Sequence, residues 1–248
     1  MTKEEMPAIY FISDLHLGLQ DEKQEQFKLD KLELLFAIIK AEGGSLYMLG
    51  DILDYWMEFH HVIPKGYTRF FCLLSDLVRH NIEVFYLAGN HDFYLGRFFD
   101  DELGVKTRYG MHELIFEDRK FVFAHGDGLG EGDIGYKLFS RFIRNRFNLA
   151  LLSAVHPDLA VGIMKRLSHL SRRHKPSGQV FETDRLLNFA GVLAAEKKFD
   201  YFLCGHNHSR GITELSGGSR WYVNLGTWID GTSPYGVFKN GAFQLNDV

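Results

Sequence analysis

Short polar clusters rich in Asp, Asn and His recur along this chain, and each follows directly on an apolar run of the kind that forms a β-strand. They are Asp14-Leu15-His16-Leu17-Gly18, Gly50-Asp51-Ile52-Leu53-Asp54, Gly89-Asn90-His91-Asp92, His125-Gly126-Asp127 and Gly205-His206-Asn207-His208. Any fold for this chain must therefore bring several strand ends to one place. Open α/β sheets do so at the carboxyl edges of their strands, where ligands bind. A single cluster would read as a helix cap or a turn, positions that Asp and Asn favour. Independent turn formers have no reason to assemble carboxylates, an amide and several imidazoles in five places.

Between the clusters the pattern alternates. Phe27, Leu32, Leu35, Ile38 and Ile39 share one face of a helix predicted over about 21–41, which Gly43-Gly44 ends. A second helix is predicted around 67–80, before the strand ending at Ala88. Strand, helix, strand in this order predicts βαβ units and a sheet with a parallel part. The second half differs: residues 114–116 and 121–124 flank a polar turn as a hairpin, and a helix is predicted near 180–198. Short strands at 211–215, 221–224, 236–238 and 242–245 follow, separated by glycine-rich turns. The expected architecture is two packed sheets flanked by helices. With 248 residues and 46% hydrophobic content, one large domain over residues 1–248 can bury a full core.

The net charge of −4 argues against a nucleic-acid partner, but the average hides an asymmetry. Between Lys137 and Pro176 nine basic residues face Asp158 alone, giving that segment +8 and leaving −12 on the rest. The same segment carries two helix-like amphipathic stretches, so residues 135–175 read as a helical lid insertion. Such helices offer an apolar face to acyl chains and cations to phosphates or anionic head groups. An ordinary solvated hairpin or an oligomer contact is the alternative. Cys72 and Cys204 lie in apolar contexts and read as buried free thiols of a reducing compartment. No apolar stretch precedes the first strand, and Phe147–Val155 is far short of the ~20 residues that span a bilayer. The expectation is a cytoplasmic protein able to touch a membrane from that side.

In an extended strand, residues i and i+2 point the same way, so Asp14 and His16 are expected to converge, as are His206 and His208. Carboxylate, amide and imidazole donors suit Mn2+, Fe2+ or Zn2+ better than Ca2+ or a thiolate-bound ion. Two such ions ~3.5–4 Å apart clamp the attacking and leaving oxygens of a phosphoryl displacement. A bridging carboxylate holds that spacing, and a water shared by both ions is acidified into a nucleophile. Glycines 50, 89, 126 and 205 are expected to let the chain turn and phosphate oxygens come close. His60 and His61 read as loop residues, and His112, His156, His169 and His174 as surface or lid residues.

The residue order resembles that of the calcineurin-like metallophosphoesterases, whose motifs run D-x-H, G-D-x-x-D, G-N-H-D/E, an H beside a G, and G-H-x-H. The resemblance implies an α/β fold, a four-layer α-β-β-α sandwich of two mixed sheets flanked by helices, here with the helical lid insert. It implies one metal held by Asp14, His16, Asp51 and His208 and a second by Asp51, Asn90, His125 and His206, with Asp51 bridging. His91 then serves as proton donor or charge stabiliser to the leaving group, held in its tautomer by Asp92, and Asp54 supports the ligands from behind.

A narrower resemblance is to the branch of that family that hydrolyses UDP-2,3-diacylglucosamine in lipid A synthesis. It is carried by Gly50–Trp56, by His125-Gly126-Asp127, by Asp133-Ile134-Gly135-Tyr136 and by the basic insert. It implies cleavage of the pyrophosphate to UMP and 2,3-diacylglucosamine 1-phosphate by a metal-bridging hydroxide, with Mn2+ as the first candidate and Fe2+ or Zn2+ after it. Asp133 and Tyr136 would then lie by the sugar-phosphate of this UDP-linked glycolipid. Arg141, Arg144, Arg173 and Lys175 are the candidates for contacts to diphosphate or to the inner-membrane surface. Two places depart from the branch: His91 stands where its best-known members carry Arg, and Met57-Glu58-Phe59-His60-His61 replaces a Gly-Asp-Asp-like run. The alternative is a phosphodiesterase or nucleotide pyrophosphatase acting on a soluble substrate.

Overall fold

Strand β1 (Ala8–Ile12) is buried at every position, as an apolar run without alternation requires when both faces of a sheet are covered. The structure, a computed structural model, describes residues 7–131, 145–153, 155–162 and 179–248. Helix α1 (Glu22–Glu42) begins at Asp21, whose side chain accepts from the N–H of Gln24, and ends at Gly43 with φ 77°. It returns the chain to β2 (Gly44–Met48), parallel to β1. Helix α2 (Thr68–Arg79) leads to β3 (Glu83–Leu87), parallel to β2, and the short α3 (Phe98–Asp101) leads to β4 (Lys106–Arg108). Both helical predictions agree in span with α1 and α2. The face of α1 is rotated from the expected one: Phe27 is 40% exposed, and Lys28 lies buried in line with Leu32, Leu35, Phe36 and Ile39.

The predicted hairpin is β5 (His112–Phe116) and β6 (Arg119–Phe123), joined through Glu117 and Asp118, both with positive φ as a tight two-residue turn demands. Helices α4 (Arg146–Ser153) and α5 (Gln179–Glu196) follow, then β7 (Tyr201–Cys204), β8 (Gly211–Glu214), β9 (Trp221–Asn224), β10 (Pro234–Lys239) and β11 (Ala242–Asp247). The tail strands divide between two mixed sheets. One is six-stranded in the order β11-β10-β1-β2-β3-β4, the other five-stranded in the order β5-β6-β7-β9-β8.

Three apolar clusters define the layers. Tyr10, Ile12, Leu46, Met48, Val84 and Tyr86 pack against α1 and α2. Ile9, Phe11, Tyr47, Leu49 and Leu87 meet Phe121, Phe123, Tyr201, Leu203 and Val223 between the sheets. Val122, Phe202, Cys204 and Tyr222 meet Leu186, Ala190 and Leu193 of α5. The order is helices, sheet, sheet, helix, the expected sandwich.

A fourth cluster joins Tyr55, Met57 and Phe59 to Leu152, Val155, Ala160 and Val161, so the described part of the 135–175 segment packs on the loop after the second polar cluster. Glu58 in that loop accepts from the N–H groups of Arg97 and Phe98, each at 2.7 Å, and so starts α3. Both cysteines are free, but Cys72 is exposed rather than buried. Among the described residues no helix is long and apolar enough to cross a membrane.

Candidate metal centre

Pairing between β1 and β2 does not stop at the strand ends. The N–H groups of Asp14, His16 and Leu17 donate to the carbonyls of Gly50, Asp51 and Ile52 at 3.2, 2.9 and 2.9 Å, zipping the first two clusters together. The expected strand alternation is not what aims the ligands. Asp14, His16, Asp51, His206 and His208 all have positive φ, between 47° and 70°, so each leaves the strand through a left-handed step. For residues other than glycine such backbone costs ~1–3 kcal/mol each and collects at functional sites.

The glycines also serve a purpose other than the expected one. A Cβ at Gly89 would collide with the carboxylate and backbone N–H of Asp51, and one at Gly205 with the Asp14 carboxylate and the Ser13 hydroxyl. The missing side chains make room for the acids of the neighbouring cluster. Ser13 donates to Asp14 Oδ2, and the N–H of His206 donates to the same oxygen at 3.0 Å.

The structure brings all seven expected ligands together. Three groups have ligand atoms mutually within 4.8 Å: Asp14, His16 and His208; His16, Asp51 and His91; Asp51, His125 and His206. His208 Nε2 stands 3.2 Å and His16 Nε2 3.7 Å from Asp14 Oδ1. Asp51 Oδ2 lies 3.7 Å from His16 Nε2 and 3.3 Å from His125 Nε2, which places this one oxygen between the two groups. Asn90 Oδ1 is 3.0 Å from His125 Nε2 and 2.9 Å from His206 Nδ1. Nδ1–H of His125 donates to the Leu49 carbonyl at 2.9 Å, which turns Nε2 into the site.

The donors fit a cation. Asp14 Oδ1 and Nε2 of His16 are buried with no hydrogen-bond partner, a costly state that coordination would relieve, while Nδ1 of His16 faces Asp54 Oδ1 at 3.4 Å. Burial pushes the Asp14 carboxyl up, but the imidazoles of His16 and His208 overcome it and hold the group well below the usual carboxylate range. Asp51 is likewise held well below it against burial by His125, His91 and His16. In return, against the opposing effect of burial, Asp14, Asp54 and Asp51 raise His16 to about 9, and Asp51 raises His125 well above its ordinary value.

Asp92 does not hold His91. Its carboxylate accepts from the N–H groups of Gly89, Asp51 and Ile52 at 2.6, 3.1 and 2.9 Å and from the Tyr86 hydroxyl, locking the second cluster to the third. The reason is geometric: the turn that frees His91 sends the next side chain inward. Burial, then the Asp51 charge, push Asp92 up to about 6. His91 is oriented by Asp54 instead. Its Nδ1 lies 3.0 Å from the Asp54 carbonyl and 3.4 Å from Asp54 Oδ1, while its backbone N–H donates to Asp51 Oδ1 at 2.8 Å. The His91 side chain is 11% exposed, at the mouth of the site.

Residues outside the five clusters also build the centre. Thr227 Oγ1 donates to the Asp14 carbonyl at 3.0 Å, and Asn224 Nδ2 holds Gly205 O and Asn207 Oδ1 at 2.8 and 2.6 Å. Asn224 ends strand β9 and Thr227 follows it, so the strand-end rule that found the other clusters would have found Asn224-Leu225-Gly226-Thr227 as a sixth. The expected substrate residues Asp133, Tyr136, Arg141, Arg144, Arg173 and Lys175 lie outside the described residues.

Residues 7–210 match the family model of the calcineurin-like phosphoesterases. The UDP-2,3-diacylglucosamine hydrolase of Porphyromonas gingivalis is 32% identical, with 97% of each chain covered. That of Neisseria meningitidis serogroup B is 29% identical over 90% of each chain, and that of Haemophilus influenzae strain PittGG 25% over 90% of this chain and 91% of its own. Among solved structures, an archaeal phosphodiesterase superposes with a TM-score of 0.51 at 13% identity, covering 97% of this chain and 99% of its own, a likeness of fold.

Proposed function

The chain belongs to the calcineurin-like phosphoesterases, metal-dependent hydrolases of phosphoesters and pyrophosphates, and we propose that within this family it cleaves the pyrophosphate of UDP-2,3-diacylglucosamine to UMP and 2,3-diacylglucosamine 1-phosphate. The likeness to the P. gingivalis hydrolase over 97% of both chains carries this reading. Asp14, His16, Asp51 and His208 would hold one divalent ion, and Asp51, Asn90, His125 and His206 a second, with Mn2+ the first candidate. Such ions supply Lewis-acid stabilisation of the phosphoryl oxygens and an acidified water.

The chain's own residues do the rest. His91, its Nδ1 set by Asp54, turns Nε2 toward the site, where a protonated imidazole meets the charge that develops on the leaving phosphate. Asp92 fixes the backbone that carries Asp51 and Asn90. Leu152, Val155, Ala160 and Val161 pack on Tyr55, Met57 and Phe59, in the loop that follows Asp51 and Asp54, which supports reading the segment they belong to as a lid. Phe147, Leu151 and Leu159, exposed at 75%, 62% and 58%, favour acyl chains or the cytoplasmic face of the inner membrane as what this segment meets.

Incubation with Mn2+, UDP-2,3-diacylglucosamine and 18O-water tests the proposal. UMP and a lipid monophosphate should form, with one 18O in one of the two phosphate products. Absence of UMP in a preparation that turns over soluble phosphodiesters would transfer the site to the soluble-substrate reading.

A further inference from the structure

Lys28 is the least expected side chain in the molecule: a lysine 1% exposed, on the core face of α1, one turn before Leu32. Lysine is almost never buried without a dedicated partner, because its ammonium gives up hydration. Its partners are specific. Nζ donates to the carbonyl of His16 at 3.3 Å and to Glu25 Oε1 at 3.0 Å. Glu25 in turn accepts from the N–H of Gly18 at 2.7 Å through Oε2 and from that of Gln20 at 3.0 Å through Oε1. Two side chains three residues apart on one helix thus grip residues 16, 18 and 20 of the loop that carries His16.

That loop needs a grip. Asp14, His16 and Gly18 all have positive φ, at 53°, 47° and 91°, and a run of left-handed steps relaxes unless its surroundings hold it. On the other side of the loop, the His16 N–H is tied to the Asp51 carbonyl at 2.9 Å. Lys28 takes the opposite end of the same residue, so the peptide groups flanking the imidazole are fixed from both sides. Burial lowers the Lys28 pKa, with Glu25 opposing that effect, in keeping with an ammonium retained for its hydrogen bonds.

We propose that Lys28, with Glu25, is a positioning clamp for His16 that sets the affinity of the ion shared by Asp14, His16 and His208, leaving the ion at His125 and His206 unaffected. The inference rests on the two-ion reading above. Partners behind a metal ligand are worth about tenfold to a hundredfold in affinity, and that loss is expected in Lys28→Met, which keeps an unbranched side chain only one atom shorter and removes its donors. Lys28→Arg, which keeps a charged donor, should recover most of it.

The test is Mn2+ titration followed by calorimetry and by electron paramagnetic resonance of the spin-coupled pair, on wild type, Lys28→Met, Lys28→Arg and Glu25→Gln. Wild type should take up two ions. Lys28→Met should retain one at wild-type affinity, bind the other at least tenfold more weakly and show an uncoupled Mn2+ spectrum at two equivalents. Wild-type affinity for both ions in Lys28→Met overturns the clamp, whatever happens to its melting temperature. If Lys28→Met does not fold, Glu25→Gln decides by the same measurement, a weakened single site supporting the clamp and two intact sites refuting it. A wild type binding fewer than two ions would instead refute the two-ion reading itself, and the clamp with it.

Discussion

Asp54 Oδ1 stands 3.4 Å from Nδ1 of His91. The same oxygen lies 3.4 Å from Nδ1 of His16, so one carboxylate orients both a ligand and the imidazole at the mouth. Asp54→Asn keeps the shape but replaces an acceptor-only group with an amide. It should lower kcat about tenfold to a hundredfold, the range measured for partners of metal-bound histidines, and weaken the ion at His16. Steady-state kinetics with parallel metal analysis checks this; unchanged kcat would remove Asp54 from the mechanism.

In the proposed mechanism His91 serves the chemistry and not the metals. Its side chain is 11% exposed, against 3% for His16 and 1% for His125, and lies 4.0 Å from Asp51 Oδ2. General acid catalysis contributes roughly 10²–10⁴-fold, so His91→Ala should lose kcat in that range and keep both ions by elemental analysis. A substrate with a better leaving group should recover part of the loss. Loss of an ion in this variant would make His91 a ligand instead.

Asp51→Ala is expected to do the opposite. Asp51 Oδ2 faces both His16 and His125, and removing it leaves imidazoles on two sides with no shared anion. The variant should bind at most one ion at concentrations that saturate wild type, with turnover abolished. A spin-coupled Mn2+ pair in Asp51→Ala would refute the bridging role.

What the sequence made legible follows from what is local. Each polar cluster is contiguous, so chain order marks Asp14, His16, Asp51, Asn90, His125, His206 and His208 as candidates, and the family resemblance sorts them between two ions. The alternation of periods likewise announced α1, α2 and the β5–β6 hairpin. What it hid is long-range. Asp92 adjoins His91 in sequence, yet its carboxylate reaches 41 residues back to the Asp51 N–H. Left-handed φ at Asp14 and His16 leaves no compositional mark, because neither residue is glycine. Lys28 was hidden by its type, since a lysine in an amphipathic helix is assumed to face water. Glu58 shows the converse: the departure from the branch pattern after Trp56 is a cap for α3.

Gly89→Ala tests the packing of one cluster into another. The added Cβ has no room beside the Asp51 carboxylate and N–H, so the backbone of one loop must retreat. Overpacking of this kind costs typically ~1–3 kcal/mol, and here it also displaces Asp51, the acid proposed to bridge the two ions. The variant should fold with a lower melting temperature and lose affinity for both ions by calorimetry. An alanine accommodated with wild-type metal affinity would show the loops to be looser than the structure places them.

Proton linkage gives the last prediction, and its sign is fixed by which groups are shifted which way. His16 is raised from 6.5 to about 9, as Asp14, Asp54 and Asp51 outweigh its burial, and His125 is raised too. In the metal-free chain His16 therefore holds its proton at neutral pH, and the proton equilibrium of His125 is drawn the same way. An ion needs them neutral, so its binding releases protons. Apparent affinity should climb with pH until about 9 and then flatten. Calorimetry in buffers of different ionisation enthalpy counts those protons directly. The same shifts act on stability. A raised imidazole pKa stabilises the metal-free fold fully below the unfolded value of 6.5, and that contribution is lost as pH rises through about 9. Asp14 and Asp51, held low, add no slope in this window because both are anionic throughout. The melting temperature of the chelated protein should accordingly fall between pH 6.5 and 9, while that of the Mn2+-loaded protein should not follow it. A chelated protein whose stability is flat across this range would show that the imidazoles share no such protons with Asp14 and Asp51.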